Sequence, residues 1–229
     1  MTEKINLKNI NSGVIRDSFS DHELDVVADL MSKLKSHDPE ENPNRFKPIG
    51  IGHMLYSWFE KKIFNKVVHN FEDAENIKMT LASFINENSP FRIHSDYYHK
   101  RHDEPCVAIL LPLSVDHGEG DISKSATIVF NETDTFFDKD LDPTMKEYVP
   151  RWKETHTKIK DNNASTIHED YLSHCEKDEL QYLTVQNILE WKKGDAIWWD
   201  EKYLHSSNNF LKNNIKNKQF ILIHTHKML

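Results

Sequence analysis

Two short segments carry residue types that could do chemistry. In Phe91-Arg92-Ile93-His94-Ser95-Asp96-Tyr97-Tyr98, an imidazole and a carboxylate stand two residues apart. On a strand that spacing puts both side chains on one face, so His94 and Asp96 converge without help from a turn. A neutral nitrogen and a carboxylate oxygen make two-thirds of a facial metal triad, and a third ligand from a distant strand would leave half the coordination sphere open. The tripeptide alone is common and reads equally as a surface strand pair. Farther along, Gly194-Asp195-Ala196-Ile197-Trp198-Trp199-Asp200 precedes Glu201-Lys202-Tyr203-Leu204-His205-Ser206-Ser207-Asn208. Here a Gly-Asp turn feeds a strand that ends in a short loop carrying one histidine, His205. Lys218 then opens the strand Gln219-Phe220-Ile221-Leu222-Ile223-His224. A cation there could reach back into the same barrel mouth and pair with the far carboxylate of a bound diacid; Lys216 is close enough to compete.

Taken together, these residues resemble the iron(II)- and 2-oxoglutarate-dependent dioxygenases, whose signature is His-x-Asp, a distal His on a later strand, then Arg or Lys. The resemblance covers roughly residues 77–226 and suits the phytanoyl-hydroxylase-like and prolyl-hydroxylase-like branches about equally. It implies that His94, Asp96 and His205 ligate Fe(II) and that Lys218 holds the C5 carboxylate of the cosubstrate 2-oxoglutarate. O2 would be the third reactant and the reaction a hydroxylation, with succinate and CO2 as co-products. Two departures stand out. Most members anchor the cosubstrate with the two-pronged guanidinium of Arg, whereas Lys offers a point charge. The stretch between Asp96 and His205 is also long for the family and requires an insertion at about 132–185, read as the source of substrate specificity. A carboxylate at position 96 points to hydroxylation, since Ala or Gly there would leave room for a halide.

The elements that must position these residues are legible as periodicity. Ser20-Asp21-His22-Glu23 is a capping-box pattern, and Leu24, Val27, Ala28, Leu30, Met31 and Leu34 follow at helical spacing, so 21–36 reads as an amphipathic helix. After a Pro/Asn-rich loop at 38–49, residues 54–71 repeat that period with Leu55, Trp58, Phe59, Ile63, Phe64 and Val67 on one face. From about residue 77, short runs rich in β-branched and aromatic residues (77–85, 108–115, 126–130, 196–199 and 220–224) alternate with loop signals. The expected fold is therefore mainly β with flanking helices: a double-stranded β-helix (jelly-roll, cupin-like) core in a single domain spanning 1–229. Residues 1–75 would be its helical support and 77–226 its core.

Composition narrows the function. The 229 residues carry a formal charge of −8, with 29 Lys+Arg against 37 Asp+Glu, which argues against a general nucleic-acid binder because the phosphate backbone rewards clustered cations. A small-molecule or peptidyl substrate is the expectation. No run approaches the roughly 20 apolar residues of a membrane span. Two cysteines, Cys106 and Cys175, set far apart, point to a reducing, cytoplasmic interior. Cys106 is expected to be buried. Among the 14 histidines, His99 and His102 sit in a charged loop, His168 and His174 suit neither a helix face nor a strand pair, and His224 and His226 share a strand face without a matching carboxylate. Trp198 and Trp199 alternate across their strand, one for the core and one for a pocket. Two other readings use the same residues: a cupin-like metal-dependent isomerase or hydrolase, and a non-catalytic β-sandwich that binds a ligand.

Overall fold

The structure, a computed structural model, describes residues 4–9, 11–34, 45–50, 52–96, 107–116, 122–133 and 156–227. Its first helix, α1 (Asp21–Ser32), opens on the capping box read from the sequence. The Glu23 N–H donates to Ser20 Oγ at 3.3 Å while Glu23 Oε2 accepts from the Ser20 N–H at 3.0 Å, so two otherwise orphaned donors are satisfied. Leu24, Val27 and Met31 are its buried stripe. The second helical stretch runs through α2 (Tyr56–Phe59), a π-helical turn (Glu60–Phe64) and α3 (Asn65–Val68). It buries Phe59, Ile63, Phe64 and Val67, as the periodicity requires.

Among the described residues, every pairing between strands of the two sheets is antiparallel. The strands are β1 (Ser12–Ile15), β2 (Arg45–Gly50), β3 (Ile77–Glu87), β4 (Val107–Asp116), β5 (Ala126–Thr133), β6 (Val185–Glu190), β7 (Ala196–Asp200), β8 (Tyr203–Ser207) and β9 (Asn217–Lys227). They form a six-stranded sheet, β1-β7-β4-β9-β3-β2, facing a three-stranded sheet, β6-β5-β8. Every strand expected from the sequence is present. The N-terminal 75 residues are not purely helical support, however, because β1 and β2 become the two edges of the large sheet. Pro48, placed in a loop by the sequence reading, lies on the outermost strand β2, where a missing N–H costs no ladder bond.

The strand period of two sorts the side chains into layers. Ala82, Phe84, Ile109, Leu111, Trp198, Ile221 and Ile223 point out of the large sheet and pack on the helices. Ile85, Ala108, Leu110, Ile197, Trp199 and Phe220 point inward and meet Val129, Leu189 and Trp191 between the sheets. Ala126, Ile128 and Phe130 on the outer face of the small sheet are covered by Ala164, Leu172, Leu180 and Leu183. The described part of the insertion is thus a brace behind the small sheet; 134–155 lie outside the described residues. No described helix is long and apolar enough to cross a membrane.

The Gly194-Asp195 turn ahead of β7 has a steric cause. Gly194 sits at φ +95°, and a Cβ there would lie 2.8 Å from the Phe19 carbonyl oxygen. Buried Asp195 then ties the turn to the N-terminal segment, accepting from the Asp17 N–H at 2.9 Å and Arg16 Nη1 at 2.6 Å. Gly194→Ala therefore costs about 1–3 kcal/mol of folding free energy, read as a lowered midpoint in urea denaturation with an unchanged slope.

Candidate metal centre

His94 and His205 face each other across the end of the small sheet. They form an isolated antiparallel bridge, with the His94 N–H donating to the His205 carbonyl at 3.0 Å and the His205 N–H donating to the His94 carbonyl at 2.8 Å. This corrects two expectations. His205 does not open a loop but lies within strand β8, and the His94 segment is not a full strand but pairs at this single point. The bridge does what a longer strand would do: it puts both imidazoles on one face, ring centroids 4.3 Å apart. Asp96, two residues on, joins them. Its Oδ2 is 3.3 Å from His205 Nε2 and its Oδ1 is 3.7 Å from His94 Nε2. One donor atom from each of the three lies within 4.8 Å of the others.

Backbone carbonyls fix the tautomers of the two imidazoles. His94 Nδ1 donates to the Arg92 carbonyl at 2.7 Å and His205 Nδ1 to the Tyr203 carbonyl at 3.2 Å. A carbonyl can only accept, so each Nδ1 carries the proton and each Nε2 turns toward Asp96. Burial, helped by the neighbouring His205, pushes the His94 pKa down to about 4, so at neutral pH its Nε2 is a bare lone pair. Burial works to raise the Asp96 pKa, but the facing histidines, His205 first, outweigh it and hold the carboxyl well below the usual range. Asp96 Oδ2 is buried and has no well-formed hydrogen bond among the described residues. Lone pairs of nitrogen and carboxylate oxygen converging in a buried place are the donor set of a borderline divalent cation. The residues present fit iron(II).

The floor of the site is aromatic. Trp199 packs its ring 4.8 Å from that of His205, and its indole nitrogen has no hydrogen-bond partner among the described residues. Trp198 goes to the helix side of the sheet, so the two tryptophans divide as their alternation implied. His224, read from sequence as pocket lining or surface, points the same way as the interior residues of β9. Its Nδ1 is 3.0 Å from Oε1 of buried Glu201. His174, given no role by the sequence, ties the insertion to the segment that carries His94 and Asp96 through Nε2 to the Phe91 carbonyl at 3.2 Å. His99, His102 and Cys106 lie outside the described residues.

Lys218 is on the interior face of β9 and fully buried, whereas Lys216 precedes the strand and is exposed. The Lys218 ammonium stands 4.0 Å from the Trp191 ring centroid and 4.7 Å from that of Phe210. Directly opposite in the β3–β9 register is Glu87, itself 1% exposed, with Oε2 3.2 Å from Lys218 Nζ. Glu87 Oε1 also accepts from Ser207 Oγ at 2.8 Å and from the Phe91 N–H at 3.0 Å. Ser207 follows His205 by two residues on the same face of β8, so this carboxylate seat begins one strand repeat, about 7 Å, from a candidate metal ligand. The sequence reading missed Glu87, Ser207 and Trp191. The available signal was a charged residue at the end of an inward-facing series, Ser83-x-Ile85-x-Glu87.

No protein-family model matches the sequence, and no curated protein matches it. Solved structures do. HygX from Streptomyces hygroscopicus, solved with nickel and 2-oxoglutarate bound, superposes with a TM-score of 0.56 at 11% identity over 97% of this chain and 85% of its own. The 2-oxoglutarate-dependent epimerase SnoN of nogalamycin biosynthesis gives 0.59 at 7% identity, over 96% and 80%. A Pseudomonas putida prolyl-4-hydroxylase gives 0.53 at 8% identity, over 97% and 96%. The chain therefore has the β-helix fold of the iron(II)/2-oxoglutarate oxygenases. Its His-Asp-His cluster is a possible metal site within that fold.

Proposed function

We propose that this protein is an iron(II)- and 2-oxoglutarate-dependent oxygenase that hydroxylates a small-molecule or peptidyl substrate. The observation that supports it most is the turning of two imidazole Nε2 atoms onto the two oxygens of one buried carboxylate. Iron(II) held there would couple decarboxylation of 2-oxoglutarate to oxidation of a C–H bond, one oxygen atom of O2 entering succinate and the other the product. The chain's own residues supply placement. Arg92 and Tyr203 carbonyls keep both Nδ1 atoms protonated, so both Nε2 atoms remain free for the metal. Lys218, with Ser207 and the Phe91 N–H beside it, would hold the distal carboxylate of the oxo acid. Trp199 and the aromatic interior keep bulk water away from the reacting centre.

The test is succinate formation by purified protein supplied with iron(II) and 2-oxoglutarate, which oxygenases of this kind carry out slowly even without their substrate. Succinate above the level of His94→Ala and His205→Ala controls is expected; equality with those controls removes the reading. Replacing iron by zinc or nickel should abolish turnover. Turnover that survives zinc would instead favour a metal-dependent hydrolase or isomerase.

A further inference from the structure

We infer that Glu87 is a specificity-determining residue of the cosubstrate site, because its carboxylate competes from within the protein for the ammonium of Lys218. The inference rests on the oxygenase reading above and adds to it a residue that neither the sequence signature nor the fold assigns. Three donors define a carboxylate seat: Lys218 Nζ, Ser207 Oγ and the Phe91 N–H. Glu87 already touches all of them, at 3.2, 2.8 and 3.0 Å. The pair is sealed, with side-chain exposures of 0% for Lys218 and 1% for Glu87. The walls are Trp191 and Phe210.

The occupancy is also imperfect. The ammonium is wholly buried, yet among the described residues no well-aligned hydrogen bond satisfies it, and burial lowers its pKa despite the facing carboxylate. The Lys218 ammonium thus keeps donors for a second acceptor. A diacid entering here meets a cation whose charge is already cancelled. Its distal carboxylate must either move Glu87 off its donors or share one ammonium with a second carboxylate in an aromatic box, where like charges are poorly screened. A 2-oxo acid with an uncharged tail meets neither obstacle. The site is thereby tuned away from strong selection for a second carboxylate, and Glu87 sets that tuning.

The experiment is isothermal titration of the nickel-loaded full chain with 2-oxoglutarate and with 2-oxovalerate, which has the same carbon count and an uncharged end. An unopposed buried cation should favour the diacid at least about 100-fold, since a site built to pair a polar group rejects the analogue that lacks it. In the wild type the expected preference is instead less than about 10-fold. Glu87→Gln keeps the shape and the acceptor oxygen but removes the competing charge. It should tighten 2-oxoglutarate at least about 10-fold, a charge-assisted contact regained, and leave 2-oxovalerate within about 3-fold. A wild-type preference above about 100-fold overturns the role of Glu87 while leaving the oxygenase reading intact, and this arm does not depend on a variant that folds. A folded Glu87→Gln protein whose 2-oxoglutarate affinity is unchanged or weaker overturns it as well. Failure of both oxo acids to bind the nickel-loaded wild type removes the oxygenase reading and this inference with it.

Discussion

Asp96→Ala abolishes tight binding of a divalent cation, weakening it by more than about 100-fold, beyond the 10–100-fold that loss of an outer-shell partner costs. The carboxylate is the only anion among the three candidate ligands, so its removal takes both a donor atom and the charge that holds the cation between two neutral imidazoles. The metal-free protein should not be weakened in proportion. Asp96 has no well-formed hydrogen bond at Oδ2 among the described residues, and its contacts to His205 Nε2 and His94 Nε2 are long, at 3.3 and 3.7 Å, so deleting the carboxylate forfeits little in the metal-free fold. The measurement is the thermal midpoint with and without iron(II) or nickel. In the wild type, a cation at 100 times its Kd stabilises the fold by about 2.7 kcal/mol; in Asp96→Ala that increment disappears while the metal-free midpoint changes little. A variant that keeps the metal-dependent increment places the cation elsewhere.

Lys218→Met should have the largest effect on stability. It leaves Glu87 as an unpaired carboxylate, still bonded to Ser207 and the Phe91 N–H but without its cation, between the sheets. Breaking a buried pair from one side costs about 3–5 kcal/mol. At about 2–4 °C per kcal/mol for a domain of this size, the midpoint falls by roughly 6–20 °C. Removing both charges in Lys218→Met/Glu87→Gln should recover most of that loss, because two neutral side chains of similar volume need no compensation. Lys216→Met, on an exposed residue before the strand, should do neither. If Lys216 proves the costlier site, the β3–β9 register described here is displaced by two residues.

Much of this was legible in the chain before folding. The capping box, the helical stripe of α1 and the apolar strands are local patterns, because propensity and periodicity act over a few residues. His94, Asp96 and Lys218 could be singled out as candidates by type and spacing for the same reason. What escaped was pairing. The His205 segment reads as a loop because Ser206, Ser207 and Asn208 are poor strand formers, yet β5 supplies a partner that imposes extended backbone on it. The insertion, read as the source of substrate specificity, packs its described part behind the small sheet, where Leu172, Leu180 and Leu183 bury apolar area that the outward face of β5 would otherwise expose.

The amino-acid order alone determined the chemistry on offer: two imidazoles, a carboxylate, a buried-type strand carrying a lysine, and helices to support them. Only the assembled sheets decided who faces whom. His94 opposite His205 and Glu87 opposite Lys218 are matters of register between segments far apart in the chain, and a shift of one residue would turn each side chain to the other face. Register is chosen by the whole interior packing at once, so no local stretch of sequence contains it.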